Sequence, residues 1–271
     1  MIRKRRSKAW SVCYDLRAAG PRGNSVYRQE AVRRTNMSLV RPGKFHITDK
    51  AMEICDLPKG AAVLDVGCGD GTVAEYLQDK HGYKVTGIDL NLAKISEGKE
   101  RNSKLDLRMG DGEFLDDFTS FSFDCVMMEC TLSLINLPDE ALHEAYCVLK
   151  KGGKLFISDL YLKNPDPKQV KAVKIEADRQ AKIPHKEGDC EEGKQRFVDF
   201  RLDGAFLKDP LIAYLKEIGY KVTAFEDRSA DLDTYVAETI LREGSLDSCV
   251  TCAKGQKGVG YFMLVAEKTG K

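Results

Sequence analysis

The chain has 271 residues, 43 Lys and Arg against 42 Asp and Glu, and 42% apolar residues. That apolar content excludes wholesale disorder, and the length, one large domain or a domain with an appended lobe, needs no disulfide staples. The near-neutral total hides an asymmetry: residues 1–40 carry ten basic and two acidic side chains, while the remaining body has a net charge of −7.

Such a basic leader meets an anion, a nucleic acid or its own body. Arg3 to Arg6 would suit a secretory signal, yet Ala9 to Leu16 is short and broken by Asp15. No stretch approaches the roughly 18 unbroken apolar residues of a membrane span. Nine irregularly spaced cysteines, an odd number, point to a reducing cytoplasm rather than a disulfide framework.

The stretch Val40 to Thr48 reads as a turn leading into a Thr48-capped helix. From residue 60, β-branched runs alternate with amphipathic stretches. Strands are predicted at Ala62–Val66, Lys84–Ile88, Leu105–Met109, Phe123–Met128 and Lys154–Ser158, with helices near 72–80, 91–101 and 138–149. This alternation describes an α/β fold with a mostly parallel sheet. Pro138-Asp139-Glu140 opens a helix, and Lys150-Lys151-Gly152-Gly153 reads as a helix stop. Residues 163–205, charged and containing Pro165, Pro167 and Pro184, break the rhythm as an inserted lobe. A helix at 206–218, a strand at Lys221–Phe225, a helix at 230–243 and a last strand, Tyr261–Ala266, complete the pattern. The organisation is thus a basic arm or gate (1–48), a core (49–162), an inserted substrate lobe (163–205) and closing elements (206–271).

Three motifs carry chemistry. The first is Val63-Leu64-Asp65-Val66-Gly67-Cys68-Gly69-Asp70-Gly71-Thr72, a strand running into a glycine-rich turn that opens a helix. Glycines admit a ligand close to the backbone, and the helix start offers free N–H groups. The spacing is G-x-G-x-G; the dinucleotide fingerprint would need glycine where Thr72 stands. The second is Asp89, which ends the next strand 24 residues after Asp65 and can take both hydroxyls of a ribose, with Leu90 offering an apolar face. Asp89 also reads as a helix N-cap, a role equally open to Asn91. The third, Gly110-Asp111-Gly112-Glu113-Phe114-Leu115, can read the amino edge of an adenine or form a plain turn.

Together DVGCGDG, GIDL, GDGEFL, FDCVMMECTLSLI and LKKGGKLFISDLY resemble the successive motifs of class I S-adenosylmethionine-dependent methyltransferases, in the type 11 branch of ubiquinone and menaquinone biosynthesis. The likeness covers about residues 50–162. It implies a Rossmann-like sheet of seven strands with an antiparallel last strand, and S-adenosyl-L-methionine as cofactor, released as S-adenosyl-L-homocysteine. Asp65, Gly67 and Gly69 would surround its methionine part, and Asp89 would hold its ribose. Leu90, Asp111 and Gly112 would meet the adenine, Cys68, Gly71 and Glu113 would complete the cofactor-binding set, and Glu129 and Cys130 would border the sulfonium. In related methyltransferases the region Val40 to Thr48 folds over the cofactor as a gate, which would make Arg41, Phe45, His46 and Thr48 pocket residues. A smaller set, Glu129 to Leu134 with Ile157-Ser158-Asp159-Leu160-Tyr161 and Asp203-Gly204-Ala205-Phe206, is similar to arsenite methyltransferases, in which a cysteine at the position of Cys130 binds the metalloid. Their second thiol is replaced here by Phe200, Arg201 and Leu202.

The expected activity is therefore methyl transfer to a small molecule, with metalloid or tRNA acceptors as alternatives. Glu129 and His46 are the first candidates for a base, followed by Asp159, Tyr161 and His185. No metal is assigned. Cys249-Val250-Thr251-Cys252 is half a zinc site, and His46, His81, His143 and His185 show no ligand spacing.

Overall fold

The computed structural model describes residues 41–173, 200–202, 204–245 and 258–269. The basic arm, His185, Cys190, Cys249 and Cys252 lie outside the described residues. Strands β1 (Ala62–Val66), β2 (Lys84–Asp89), β3 (Asp106–Met109), β4 (Phe123–Glu129) and β5 (Leu149–Leu162) run parallel in the order β3-β2-β1-β4-β5. The far edge is completed by β8 (Tyr220–Asp227) and β9 (Val259–Lys268). β9 lies antiparallel between β5 and β8, in register with β5 from Lys154↔Glu267 to Leu162↔Val259. These seven long strands are the expected sheet with its antiparallel member. Two short strands are added, β6 (Arg201–Leu202) and β7 (Ala205–Phe206); β7 pairs with β5 at Tyr161, beyond the point where β4 stops at Glu129↔Ser158.

Both faces of the sheet are covered, which is why the strands read as nearly continuous apolar runs. Val63, Val85, Cys125, Met127 and Phe156 share one core with helices α1 (Lys44–Cys55), α2 (Thr72–His81), α3 (Leu92–Arg101) and α6 (Ser229–Glu243). Leu64, Val66, Val126, Met128, Leu155 and Ile157 share the opposite core with α4 (Pro138–Val148) and α5 (Lys208–Glu217). The period of two puts Asp65 and Glu129 on the α1 side of the sheet, in step with Val63 and Met127.

Local chemistry sets the ends. Asn91 caps α3, its side chain accepting from the amides of Ala93 and Lys94, so Asp89 is not the helix cap and its carboxylate has another task. α1 starts at Lys44 after Gly43, which has φ +65°, and Thr48 sits buried in its second turn. The expectation of a Thr48 cap is thereby corrected, and α1 runs across the boundary drawn at 48/49. Lys150 to Gly153, expected as a helix stop, already belong to β5; α4 ends where Leu149 turns extended. The last carbonyls of that helix are satisfied from afar: buried Lys268 donates to the oxygens of Tyr146 and Leu149 at 2.5 and 2.8 Å.

Among the described residues, no helix is long and apolar enough to cross a membrane.

Candidate functional site

The acidic and glycine-rich motifs meet at the C-terminal ends of β1 to β4, the side where ligands bind in open α/β sheets. The β1 turn is built on β2: the amides of Gly67 and Cys68 donate to the Ile88 carbonyl at 2.8 and 3.0 Å. Gly67 has φ +77°, and a Cβ there would collide with the Thr131 side chain that follows β4. Gly69 has φ +56° and faces open space, with nothing within 4 Å of where a Cβ would stand. Glycine is thus required at 67 for packing, whereas at 69 it leaves an open hollow. Gly71 is a packing glycine, its would-be Cβ meeting Leu107.

Asp89 holds the loop in shape. Its Oδ2 accepts from Gly69 N at 2.8 Å and its Oδ1 from Asn91 N at 2.7 Å, which fixes the carboxylate plane. Beside it Leu90 is 55% exposed. Asp111, past β3, accepts from Glu113 N at 3.0 Å, and burial raises its carboxyl above the ordinary range.

Asp65 is buried and its Oδ2 has no hydrogen-bond partner among the described residues. Loss of solvent pushes its pKa up to about 7, against the pull of Arg41; the nearby Asp89 pushes the same way as burial. Arg41 is also buried, ion-paired with Glu129 and donating to Thr48 Oγ1, while its Nε lacks a partner among the described residues. Thr48 in turn donates to Glu129 Oε1 at 2.9 Å. An acid and a guanidinium, each with one polar atom unsatisfied, therefore border the same turn.

Other candidates are placed elsewhere. The Cys68 side chain packs in the core beside Gly87, and burial raises its thiol far above the ordinary range. Glu113 is buried, its Oε1 accepting from the amides of Asn136 and Leu137, both at 3.0 Å. His46 is on the exposed face of α1, its Nδ1 accepting from Arg228 at 2.8 Å, so the structure does not bring it to Glu129. Asp159 is enclosed, accepting from the amides of Ser133 and Leu160, with its pKa pushed by burial up to about 6.

Cys130 has φ +55°, a strained backbone of the kind concentrated at functional sites. Its sulfur lies 2.7 Å from the Tyr261 hydroxyl, which donates to Ser158 Oγ at 3.0 Å. Burial pushes the Cys130 thiol up to about 11. The sequence reading missed Tyr261 and Ser158. Their signal was the pairing of the last strand with β5, which sets Tyr261 opposite Leu160, across from the end of β4.

The family model described as a methyltransferase domain, type 11, matches residues 64–157. This segment is a class I S-adenosylmethionine-dependent methyltransferase domain. Among curated relatives, the demethylmenaquinone methyltransferase of Renibacterium salmoninarum is 38% identical over 100 residues, 37% of this chain and 41% of the relative. An 18S rRNA (guanine-N7)-methyltransferase of Saccharomyces cerevisiae is 28% identical over 51% of this chain and 54% of its own. The arsenite methyltransferase of Mus musculus is 30% identical over 42% and 34%. The chain thus spans about half or less of the length of these relatives. Phosphoethanolamine N-methyltransferase 2 of Haemonchus contortus, solved with S-adenosyl-L-methionine, shares the fold at a TM-score of 0.60 and 16% identity, covering 87% of this chain and 55% of that one. In the methyltransferase domain the glycine turn, Asp89 and Asp111 stand at three neighbouring strand ends, β1, β2 and β3.

Proposed function

We propose that this chain transfers a methyl group from S-adenosyl-L-methionine to a small-molecule acceptor. The observation that carries the reading is Asp65: a buried carboxylate oxygen without a partner among the described residues, beside an open glycine turn and a buried arginine. A bound ammonium would satisfy that oxygen and hold the acid ionised, and Arg41 Nε would meet a carboxylate. An amino-acid zwitterion has both groups one carbon apart, as the methionine end of the cofactor does. Asp89 would take the ribose hydroxyls, while Leu90, Asp111 and Gly112 would take the adenine.

When bound, the cofactor supplies a methyl group on a positively charged sulfur, open to in-line displacement. The chain's part is to align the acceptor and exclude water, which suffices to supply much of the rate. Glu129 was the leading candidate base. Its oxygens are committed to Arg41 and Thr48, so we assign it to positioning Arg41 rather than to taking a proton.

Calorimetric titration with S-adenosylhomocysteine tests this, with NAD as control. Binding should weaken at least tenfold in Asp89→Ala, and a hundredfold excess over the dissociation constant should stabilise the wild type by about 2.7 kcal/mol. Absence of binding at millimolar concentration would refute the reading, as would binding unchanged by the substitution.

A nucleic-acid acceptor is the second reading, favoured by the basic residues 1–40 and by the rRNA-modifying relative. It predicts RNA affinity falling steeply with salt, whereas a small acceptor predicts little salt dependence. The metalloid alternative gains nothing from the described residues: the Cys130 thiol is raised and bonded to Tyr261, and Arg201 forks onto the carbonyls of Ser133 and Ile135 where a second thiol would be needed.

A further inference from the structure

Helix α4 carries a cluster on the far side of its own core-facing stripe. His143 and Cys147 are four residues apart and therefore share a helix face, with Glu144 beside them. His143 Nδ1 and Cys147 Sγ are 3.9 Å apart, and one ligand atom from each of the three side chains lies within 4.8 Å of the others. His143 is exposed and the other two are half-buried, so an ion can reach the group from solvent.

Two neighbours organise the cluster. Glu144 Oε2 accepts from the Leu115 amide at 3.1 Å, an outer-shell contact that orients the carboxylate. Lys268 donates to the carbonyls of Tyr146 and Leu149, which fixes the end of α4 on either side of Cys147. One nitrogen, one sulfur and one oxygen ligand select zinc or a similarly soft divalent ion over magnesium or calcium, which prefer all-oxygen cages. Tetrahedral zinc with ordinary bond lengths separates its sulfur and nitrogen ligands by about 3.5 Å. The observed separation is within about half an ångström of that.

We infer that this face of α4 is a zinc-class metal site, with His143 Nδ1, Glu144 and Cys147 Sγ as protein ligands and water in the fourth position. Binding releases the thiol proton, so affinity rises with pH. The site stands apart from the methyl-transfer reading and does not depend on it. Its structural consequence is local. Leu115 N bonds Glu144, and Phe121 N bonds the Cys147 carbonyl at 3.2 Å, so an ion here would clamp the segment between β3 and β4 onto α4.

The test is cobalt(II) titration of the full chain under a non-thiol reductant, reading the thiolate-to-cobalt charge-transfer absorption. Cys249 and Cys252 are replaced by serine to silence a rival thiol pair. The expected result is one equivalent of cobalt in this background, displaced by zinc, with the absorption lost on adding either Cys147→Ser or His143→Ala. Both residues lie outside the buried core, so the metal-free variants should keep the parent thermal transition, which is measured in parallel. No thiolate band in the serine background would overturn the proposal. So would a band that survives Cys147→Ser, or unchanged affinity in His143→Ala.

Discussion

Asp65→Asn offers the sharpest test of the site because stability and binding should move in opposite directions. In the cofactor-free protein the Asp65 pKa is raised from 3.8 to about 7. Between those values the folded state keeps a proton that the unfolded chain has released, so stability falls as pH rises through the window, and the full penalty applies above it. Three units correspond to about 4 kcal/mol at pH 8, of which roughly 2 kcal/mol is already present at pH 5. An amide does not ionise and escapes this term. The stability gap between variant and wild type should therefore widen by roughly 2–3 kcal/mol from pH 5 to pH 8. Comparing the two pH values cancels any cost of the substitution that does not depend on pH. At roughly 2–4 °C per kcal/mol, the melting temperature of Asp65→Asn should gain about 5–10 °C relative to wild type over that interval. The same variant should bind S-adenosylhomocysteine at least tenfold more weakly. A gap that is constant with pH would refute the argument, because it would mean that Asp65 is solvated or already paired in the free protein.

Three further substitutions separate scaffold from site. Gly67→Ala forces a Cβ into Thr131 at positive φ and should cost about 2–4 kcal/mol in urea denaturation, whereas Gly69→Ala meets open space and should cost only about 1–2 kcal/mol while its Cβ obstructs cofactor binding in calorimetry. Equal stability losses in the two would contradict this division. Glu113→Ala removes the buried carboxylate to which the amides of Asn136 and Leu137 donate and should destabilise by about 1–3 kcal/mol, with cofactor affinity changed less than threefold. A loss of affinity larger than the loss of stability would return Glu113 to the binding shell. Lys268→Met removes the donor to the last carbonyls of α4 and should cost about 1–3 kcal/mol in thermal denaturation; no loss would mean that water satisfies those carbonyls equally well.

The parallel core was legible because its strands are buried on both faces and read as apolar runs punctuated by glycine. The turn from Asp65 to Gly71 could be placed from spacing alone. What sequence could not show was which way each side chain of a motif turns. Glu113 belongs to a recognisable motif, yet its partners lie at 136–137, on the far side of β4 in sequence. His46 was misplaced by phase: with α1 beginning at Lys44 rather than after Thr48, the helix turns Thr48 inward and His46 outward. Glu129 stood where expected, but its pairing with Arg41 joins residues 88 positions apart, which no local pattern encodes. His143 and Cys147 stand at helical spacing, but one histidine and one cysteine form no ligand pattern in sequence until the helix brings Glu144 beside them.

The position of β9 bears on how the chain is made. β5 is complete at Leu162, but the strand that covers its outer edge begins at Val259. At ribosomal rates of about 5–20 residues per second, those intervening residues take roughly 5–20 s to appear. Throughout that interval the nascent sheet presents an open, apolar strand edge, the feature most prone to pair with another chain. Vectorial synthesis thus makes this edge the point at which a chaperone, or a second nascent copy, would first engage the protein.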